Sequence, residues 1–273
     1  MTTAMTPEME SLKGKLKATW MAGNYDYFSR FMETSAIEFL ERFPVRKGDR
    51  LLDVACGSGQ LALLASKKGA KVTGVDIASN SIEAARGRAT AEKLDAHFEE
   101  GDAEALTFAD GSFDVVTSIY GAMFAPRPDR VAAELLRVCR PGGIIAMANW
   151  NKEGFIGKML QTIGKFVAPP GMPSPLLWGD EATVRERLGA GASNLRLTKV
   201  NYRFDYAFSP ADVVEFFRVN YGPTVRAFAA LSEADQQGLR KELTNLWADH
   251  NTSQDPNRTT VDSEYLEVVA TRA

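Results

Sequence analysis

The residues best suited to chemistry form one short run, Leu51-Leu52-Asp53-Val54-Ala55-Cys56-Gly57-Ser58-Gly59. An apolar strand entering Gly-x-Gly and then a helix lets the backbone turn tightly. A ligand can then approach the loop and the helix N-terminus without meeting a Cβ. Asp76 ends the next apolar run, Val72 to Asp76. A carboxylate there can accept two hydrogen bonds from a ribose diol, each worth about 1.5–3 kcal/mol. Gly101-Asp102-Ala103 supplies another acid, able to accept from an adenine amino group. Asp53 sits before the loop, where its charge would repel a pyrophosphate but suit a sulfonium amino acid. The pattern is not exclusive, because Gly57-Ser58-Gly59-Gln60-Leu61-Ala62 also satisfies the dinucleotide fingerprint with its permitted final alanine. An NAD(P)-dependent oxidoreductase therefore stands as a rival reading. No Tyr-x-x-x-Lys pair occurs, so short-chain dehydrogenase chemistry has no visible acid.

These groups need strands to carry them and helices to cover them. Near-continuous apolar runs are expected as strands at Arg50 to Ala55, Val72 to Asp76, Ala96 to Glu99, Phe113 to Ser118 and Ile144 to Asn149. Helical spacing alternates with them at Gln60 to Lys68, Asn80 to Glu92 and Arg127 to Arg140, the last stopped by Pro141-Gly142-Gly143. That alternation argues for a parallel sheet covered on both faces. Ahead of it, Ser11 to Phe43 is aromatic and helical, breaking near Gly23-Asn24 into two helices. Beyond Trp150, helices are expected at Glu153 to Val167 and Glu181 to Leu188. Ser209-Pro210-Ala211-Asp212 and Ser232-Glu233-Ala234-Asp235 are capping patterns that open two more. Leu195 to Tyr206 and Tyr265 to Thr271 read as the final strands.

Five motifs in this order resemble a class I S-adenosylmethionine-dependent methyltransferase, of the broad type 11 group that includes quinone-biosynthesis and natural-product enzymes. They are Leu52 to Gly59, Val75-Asp76-Ile77, Gly101-Asp102-Ala103, Phe113-Asp114-Val115-Val116 and Arg140-Pro141-Gly142-Gly143. The resemblance implies an α/β, Rossmann-like, doubly wound and mostly parallel seven-stranded sheet with an antiparallel last strand and helical lid insertions. It divides the chain into an N-terminal helical lid (1–43), a cofactor-binding core (44–150) and a remainder of the same domain with substrate-covering helices (151–273).

The cofactor implied is S-adenosyl-L-methionine. By the same resemblance Asp53, Ala55, Gly57 and Gly59 flank its methionine half, Asp76 holds the ribose, Ile77 and Ala103 sandwich the adenine, and Asp102 reads the amino group. Ser118 and Ile119 line the methionine side. An N-terminal helix closing over the cofactor would bring Tyr27 or Trp20 to the sulfonium, where cation–π attraction is worth roughly 0.5–2 kcal/mol. Ala55 departs from the family's usual glycine and Ser81 from its usual methionine. Tyr120, Met123, Phe124, Trp150, Trp178, Phe216 and Tyr221 are the acceptor-pocket candidates, being apolar as such a pocket needs. No catalytic residue is assigned. A non-catalytic, cofactor-binding member of the fold remains the other alternative.

Composition narrows the rest. The 273 residues are 45% apolar and 25% charged, with 32 Lys and Arg against 35 Asp and Glu, a net charge of -3. That lacks the basic excess of a nucleic-acid binder. Two cysteines, Cys56 and Cys139, and two histidines, His97 and His250, are too few for the common zinc sites, so no metal is expected. Cys56 reads as small core filler and Cys139 as part of an apolar helix face. The Asn/Asp-Pro-Pro-aromatic signature of DNA amino-methyltransferases is absent, and arsenic methylation would need several cysteines. No apolar run is long enough to span a membrane, and the start lacks the apolar centre of a secretory signal. The expectation is a cytoplasmic enzyme acting on a small molecule, of unassigned oligomeric state.

Overall fold

The computed structural model describes residues 5–273. The strands are Arg50–Val54 (β1), Lys71–Asp76 (β2), Ala96–Glu100 (β3), Phe113–Ile119 (β4), Cys139–Trp150 (β5), Ala192–Tyr206 (β6) and Thr259–Arg272 (β7). They form one sheet in the order β3-β2-β1-β4-β5-β7-β6. The first five pair parallel, and β7 runs antiparallel between β5 and β6. The seven-stranded, mostly parallel α/β architecture expected from the sequence is the one observed. In register, Asp53 lies between Gly74 of β2 and Thr117 of β4. The strand order reverses at β1, so the crevice beyond the carboxyl ends of β1 and β4 is where an open α/β sheet binds ligands.

Burial on both faces explains the apolar runs. Leu51, Leu52 and Val54 of β1 and Val116 of β4 are fully covered. Each such aliphatic side chain contributes about 1.5–3 kcal/mol by leaving water. The helices Gln60–Lys67 (α4), Ser79–Glu92 (α5) and Pro128–Val138 (α6) supply the cover between strands.

The N-terminal segment holds three helices rather than two: Pro7–Trp20 (α1), Tyr25–Arg30 (α2) and Glu33–Leu40 (α3). Asn24 caps α2 by accepting the Tyr27 N–H at 3.1 Å, and a further break at Phe31 to Met32 turns the chain before α3. The first four residues of the expected lid lie outside the described ones. Cys139 is also misplaced by helical spacing. Helix α6 stops at Val138, and Cys139 begins β5, so the Pro141 to Gly143 corner falls inside a strand, which shifts register opposite Phe113 and Val115.

The remaining helices are Phe155–Gly164 (α7), Glu181–Leu188 (α8), Pro210–Asn220 (α9), Gly222–Ala229 (α10) and Glu233–His250 (α11). Ser209 and Ser232 cap α9 and α11 through their hydroxyls, which accept the Asp212 and Asp235 N–H groups. Helix α10 was not expected; Tyr221-Gly222-Pro223 ends α9 and starts it at once. Helices α9 and α11 pack together, α11 also meeting α7 and β7, and α10 lies against α1. A Cβ on Gly222 would stand 2.1 Å from the Thr19 carbonyl oxygen, so this contact requires glycine. No described helix is long and apolar enough to cross a membrane.

Candidate active site

The turn after β1 uses left-handed backbone three times, at Ala55 (φ 56°), Gly57 (φ 54°) and Gly59 (φ 83°). The Cys56 N–H donates to the Val75 carbonyl at 3.0 Å, tying the turn to β2. The Gly57 N–H donates to Asp76 Oδ2 at 2.9 Å, and the Ala78 N–H donates to Asp76 Oδ1 at 2.8 Å. Asp76 thus braces the turn and still offers a lone pair on each oxygen. A Cβ on Gly57 would lie 2.9 Å from the Tyr25 ring, so the aromatic of α2 closes directly on the loop.

Around this turn lies an open cleft. Its floor is Ala55, Gly57, Asp76 and Ile77. Ser81, Asp102 and Ala103 form one side, and Tyr120, Gly121 and Phe124 the other. Lys13, Trp20 and Tyr25, from the N-terminal helices, form the roof. Asp102 Oδ1 accepts the Glu104 N–H at 2.9 Å, while Oδ2 accepts from Lys13 Nζ. Lys13 also pairs with Glu104 at 2.5 Å, and Glu104 in turn holds Arg127 at 2.7 Å.

The lining carries both Asp76 and the Lys13 ammonium, the latter paired with Asp102 and Glu104. Burial raises the Asp76 carboxyl against the pull of the Ala78, Gly57 and Ile77 N–H groups. Burial also pushes Asp53 up to about 7, with the Asp76 charge adding to it and a hydrogen bond from Thr117 opposing. Thr117 Oγ1 donates to Asp53 Oδ1 at 3.0 Å, and Asp53 Oδ2 is buried with no partner among the described residues. Asp76 keeps an acid in the lining, which suits a ligand offering hydroxyl donors or positive charge. It opposes a diphosphate.

Of the cofactor candidates, Ala55, Gly57, Asp76, Ile77, Asp102 and Ala103 line the cleft. Asp53 lies behind the turn, 1% exposed. Gly59 starts α4 and backs onto Phe98, whose ring would be 3.1 Å from a Cβ there. Ser118 Oγ accepts the Ala122 N–H at 2.9 Å and so builds the loop after β4; neither it nor Ile119 is in the lining. Tyr27 is 45% exposed and packs on Phe31 and Phe216 outside the cleft. Tyr25, two residues back on the opposite face of α2, lines the cleft, and so does Trp20.

A second, smaller aromatic chamber shares Trp20, Tyr25 and Tyr120 with the cleft. Trp150 and Tyr221, both acceptor candidates, line it with Phe28, Met32, Ile156, Phe204 and Phe217. Tyr120 stacks on Trp150 with ring centroids 3.9 Å apart and 9° between planes, and its hydroxyl meets Ser35 Oγ at 2.9 Å. Met123 and Trp178 are buried away from both spaces, Trp178 beneath Arg187 at 4.7 Å. Phe216 joins a ring cluster with Phe28 and Phe31; its neighbour Phe217 faces the chamber instead.

The remaining reactive groups are accounted for elsewhere. Both cysteines are free and buried, and burial pushes the thiols up, Cys139 to about 11. His97 is exposed on β3 beside Glu99, and His250 ends α11 against Lys158. The described residues contain no cluster suited to a metal ion.

Comparison with known proteins agrees with this geometry. Residues 52–147 match the family described as a methyltransferase domain. An uncharacterized protein of Mycobacterium tuberculosis is 38% identical over 233 residues, 83% of this chain and 84% of that one. The 2-methyl-6-phytyl-1,4-hydroquinone methyltransferase of Synechocystis is 42% identical over 107 residues, 39% of this chain and 33% of that one. The fold matches Haemonchus contortus phosphoethanolamine N-methyltransferase 2, solved with S-adenosylhomocysteine, at TM-score 0.56 and 20% identity, covering 88% of this chain and 52% of that one. With the glycine turn, its acid brace and the 3-2-1-4-5-7-6 sheet, these matches favour the methyl-transfer reading of the sequence: residues 52–147 belong to the methyltransferase-domain family, and the fold around them is one shared with solved methyltransferases.

Proposed function

We propose that this protein transfers a methyl group from S-adenosylmethionine to a small-molecule acceptor. The observation that carries this reading is the pair of joined spaces: a cleft built around Asp76 and Gly57, and an aromatic chamber beyond Trp20, Tyr25 and Tyr120. When bound, S-adenosylmethionine supplies a methyl carbon activated by positive sulfur.

The chain's own residues then have little covalent chemistry to do. Asp76 accepts from the ribose hydroxyls, and Asp102 from the adenine amino group. Ile77 and Ala103 flank the base. Asp53, behind the turn, backs the methionine half. Holding the acceptor against the methyl supplies roughly 7–11 kcal/mol of barrier reduction when the reacting atoms are aligned. Residues 1–43 act as a lid, 44–150 as the cofactor core, and 151–273 as the acceptor cover; Trp20 and Tyr25 exclude water from the junction.

The test is incubation with methyl-labelled S-adenosylmethionine and a panel of phenols, amines and quinones. Protein-dependent label in one acceptor class is expected. A protein that binds the cofactor yet labels none of them would fit the non-catalytic alternative.

A further inference from the structure

The geometry points to an uncharged, flat ring compound bearing a hydroxyl group as the acceptor, seated in the aromatic chamber with its oxygen at the hydroxyls of Tyr25 and Tyr221. The inference rests on the methyl-transfer reading and names the acceptor class for it.

Three observations carry it. First, the chamber walls hold no charged side chain. A phosphate, carboxylate or ammonium would enter without a counter-charge and lose its hydration, a cost far above that of an uncharged ring. Second, the walls are flat. Tyr120 and Trp150 form one stacked face, and Phe28 stacks on Tyr221 with centroids 4.9 Å apart and 29° between planes. Such walls favour a planar guest, since ring pairs gain from offset and edge contacts.

Third, two hydroxyls of the lining are uncommitted. Tyr221 is 6% exposed, and neither its hydroxyl nor that of Tyr25 has a hydrogen-bond partner among the described residues. Neither oxygen is sealed off, so each is open to a guest's hydroxyl. The Tyr25 and Tyr221 rings both pack against Trp20 and against Phe28, which gathers them at one end of the chamber, and burial raises both phenols. They remain protonated donors. Tyr25 also lines the cofactor cleft, so the acceptor oxygen is held on the side from which a methyl group would come.

The experiment is calorimetry on protein saturated with S-adenosylhomocysteine, using four probes of one shape: 2-naphthol, naphthalene, naphthalene-2-sulfonate and 2-naphthylmethylammonium. 2-Naphthol is expected to bind once per chain and tighter than the other three. Tyr221→Phe should weaken 2-naphthol about fivefold to tenfold and leave naphthalene within about twofold, as loss of a single hydrogen bond requires. The wild-type ranking needs no variant, so a poorly folding Tyr221→Phe does not spare the proposal. Tighter binding of the sulfonate or the ammonium overturns it, as does a Tyr221→Phe effect equal for naphthol and naphthalene. Binding of S-adenosylhomocysteine with no binding of 2-naphthol overturns the acceptor class alone. Failure to bind S-adenosylhomocysteine overturns the methyl-transfer reading itself.

Discussion

The Gly57 N–H donates to Asp76 Oδ2 at 2.9 Å, so the acid at the end of β2 and the glycine turn after β1 act as one unit. Asp76→Ala removes the ribose acceptor and leaves the Gly57 and Ala78 N–H groups unpaired. The expected result is S-adenosylhomocysteine affinity lower by about tenfold or more, with stability lower by roughly 1–3 kcal/mol. Calorimetry and denaturant unfolding read the two effects separately. An unchanged dissociation constant would contradict the ribose assignment.

Helix α1 is held to the core by charge. Lys13, 9% exposed at its side chain, meets Asp102 and the fully buried Glu104, and Lys17 pairs with Glu100. Lys13→Met leaves Glu104 with Arg127 alone. We expect a loss of about 2 kcal/mol, below the usual cost of breaking a buried pair because one partner remains. Proteolytic cleavage within α1 should accelerate. Adding Glu104→Gln to Lys13→Met should recover part of the stability, since an uncharged amide no longer needs the ammonium. A double variant less stable than the single would contradict this account.

Ala55 and Gly121 are in contact across the cleft floor. A Cβ on Gly121 would stand 2.5 Å from the Ala55 carbonyl oxygen and 2.7 Å from its Cβ. Gly121→Ala must therefore displace the turn, and both stability and cofactor affinity should fall. Ala55 carries a left-handed backbone at φ 56°. Ala55→Gly relieves about 1–2 kcal/mol of that cost and returns about 0.4–1 kcal/mol as unfolded-state entropy, for a net gain of about 0.5–1 kcal/mol. A thermal melt of each variant decides the signs.

Asp53 sets a pH dependence. Its carboxyl is raised from an ordinary 3.8 to about 7, so between those values the folded state holds a proton the unfolded state has lost. The stability from the protonated form is complete below about pH 4 and is lost as pH rises through about 7. Asp53→Asn stays uncharged. Its stability relative to wild type should climb from pH 4 to pH 7 and then level, by on the order of 4 kcal/mol at most. A difference that is flat or falls over that window would show that Asp53 is ionised at no cost.

The sheet and its turn were legible because strand-to-turn-to-helix patterns repeat locally: Leu52 to Gly59 and Val72 to Asp76 carry their own periodicity and breakers. Which face a helix presents was not. Tyr25 and Tyr27 differ by two residues, about 200° of helical rotation, and only the packing of α2 against α9 puts Tyr25 in the cleft. The same holds for Phe217 against Phe216, one residue and about 100° apart. Trp178 looked like pocket lining because it is large and apolar, yet it lies buried under Arg187. Lys13 carried no signal at all. Its partners, Asp102 and Glu104, come from a segment roughly ninety residues on, and one lysine in a polar helix is ordinary.

The central claim is that the cleft beside Gly57 and Asp76 holds a nucleoside with a positively charged sulfur. Titration calorimetry of the wild-type protein with S-adenosylmethionine, S-adenosylhomocysteine and NAD tests it most directly. Saturable binding of the first two at one site per chain, with no heat from NAD, is the predicted result. Binding of NAD with none of either sulfur compound would contradict it.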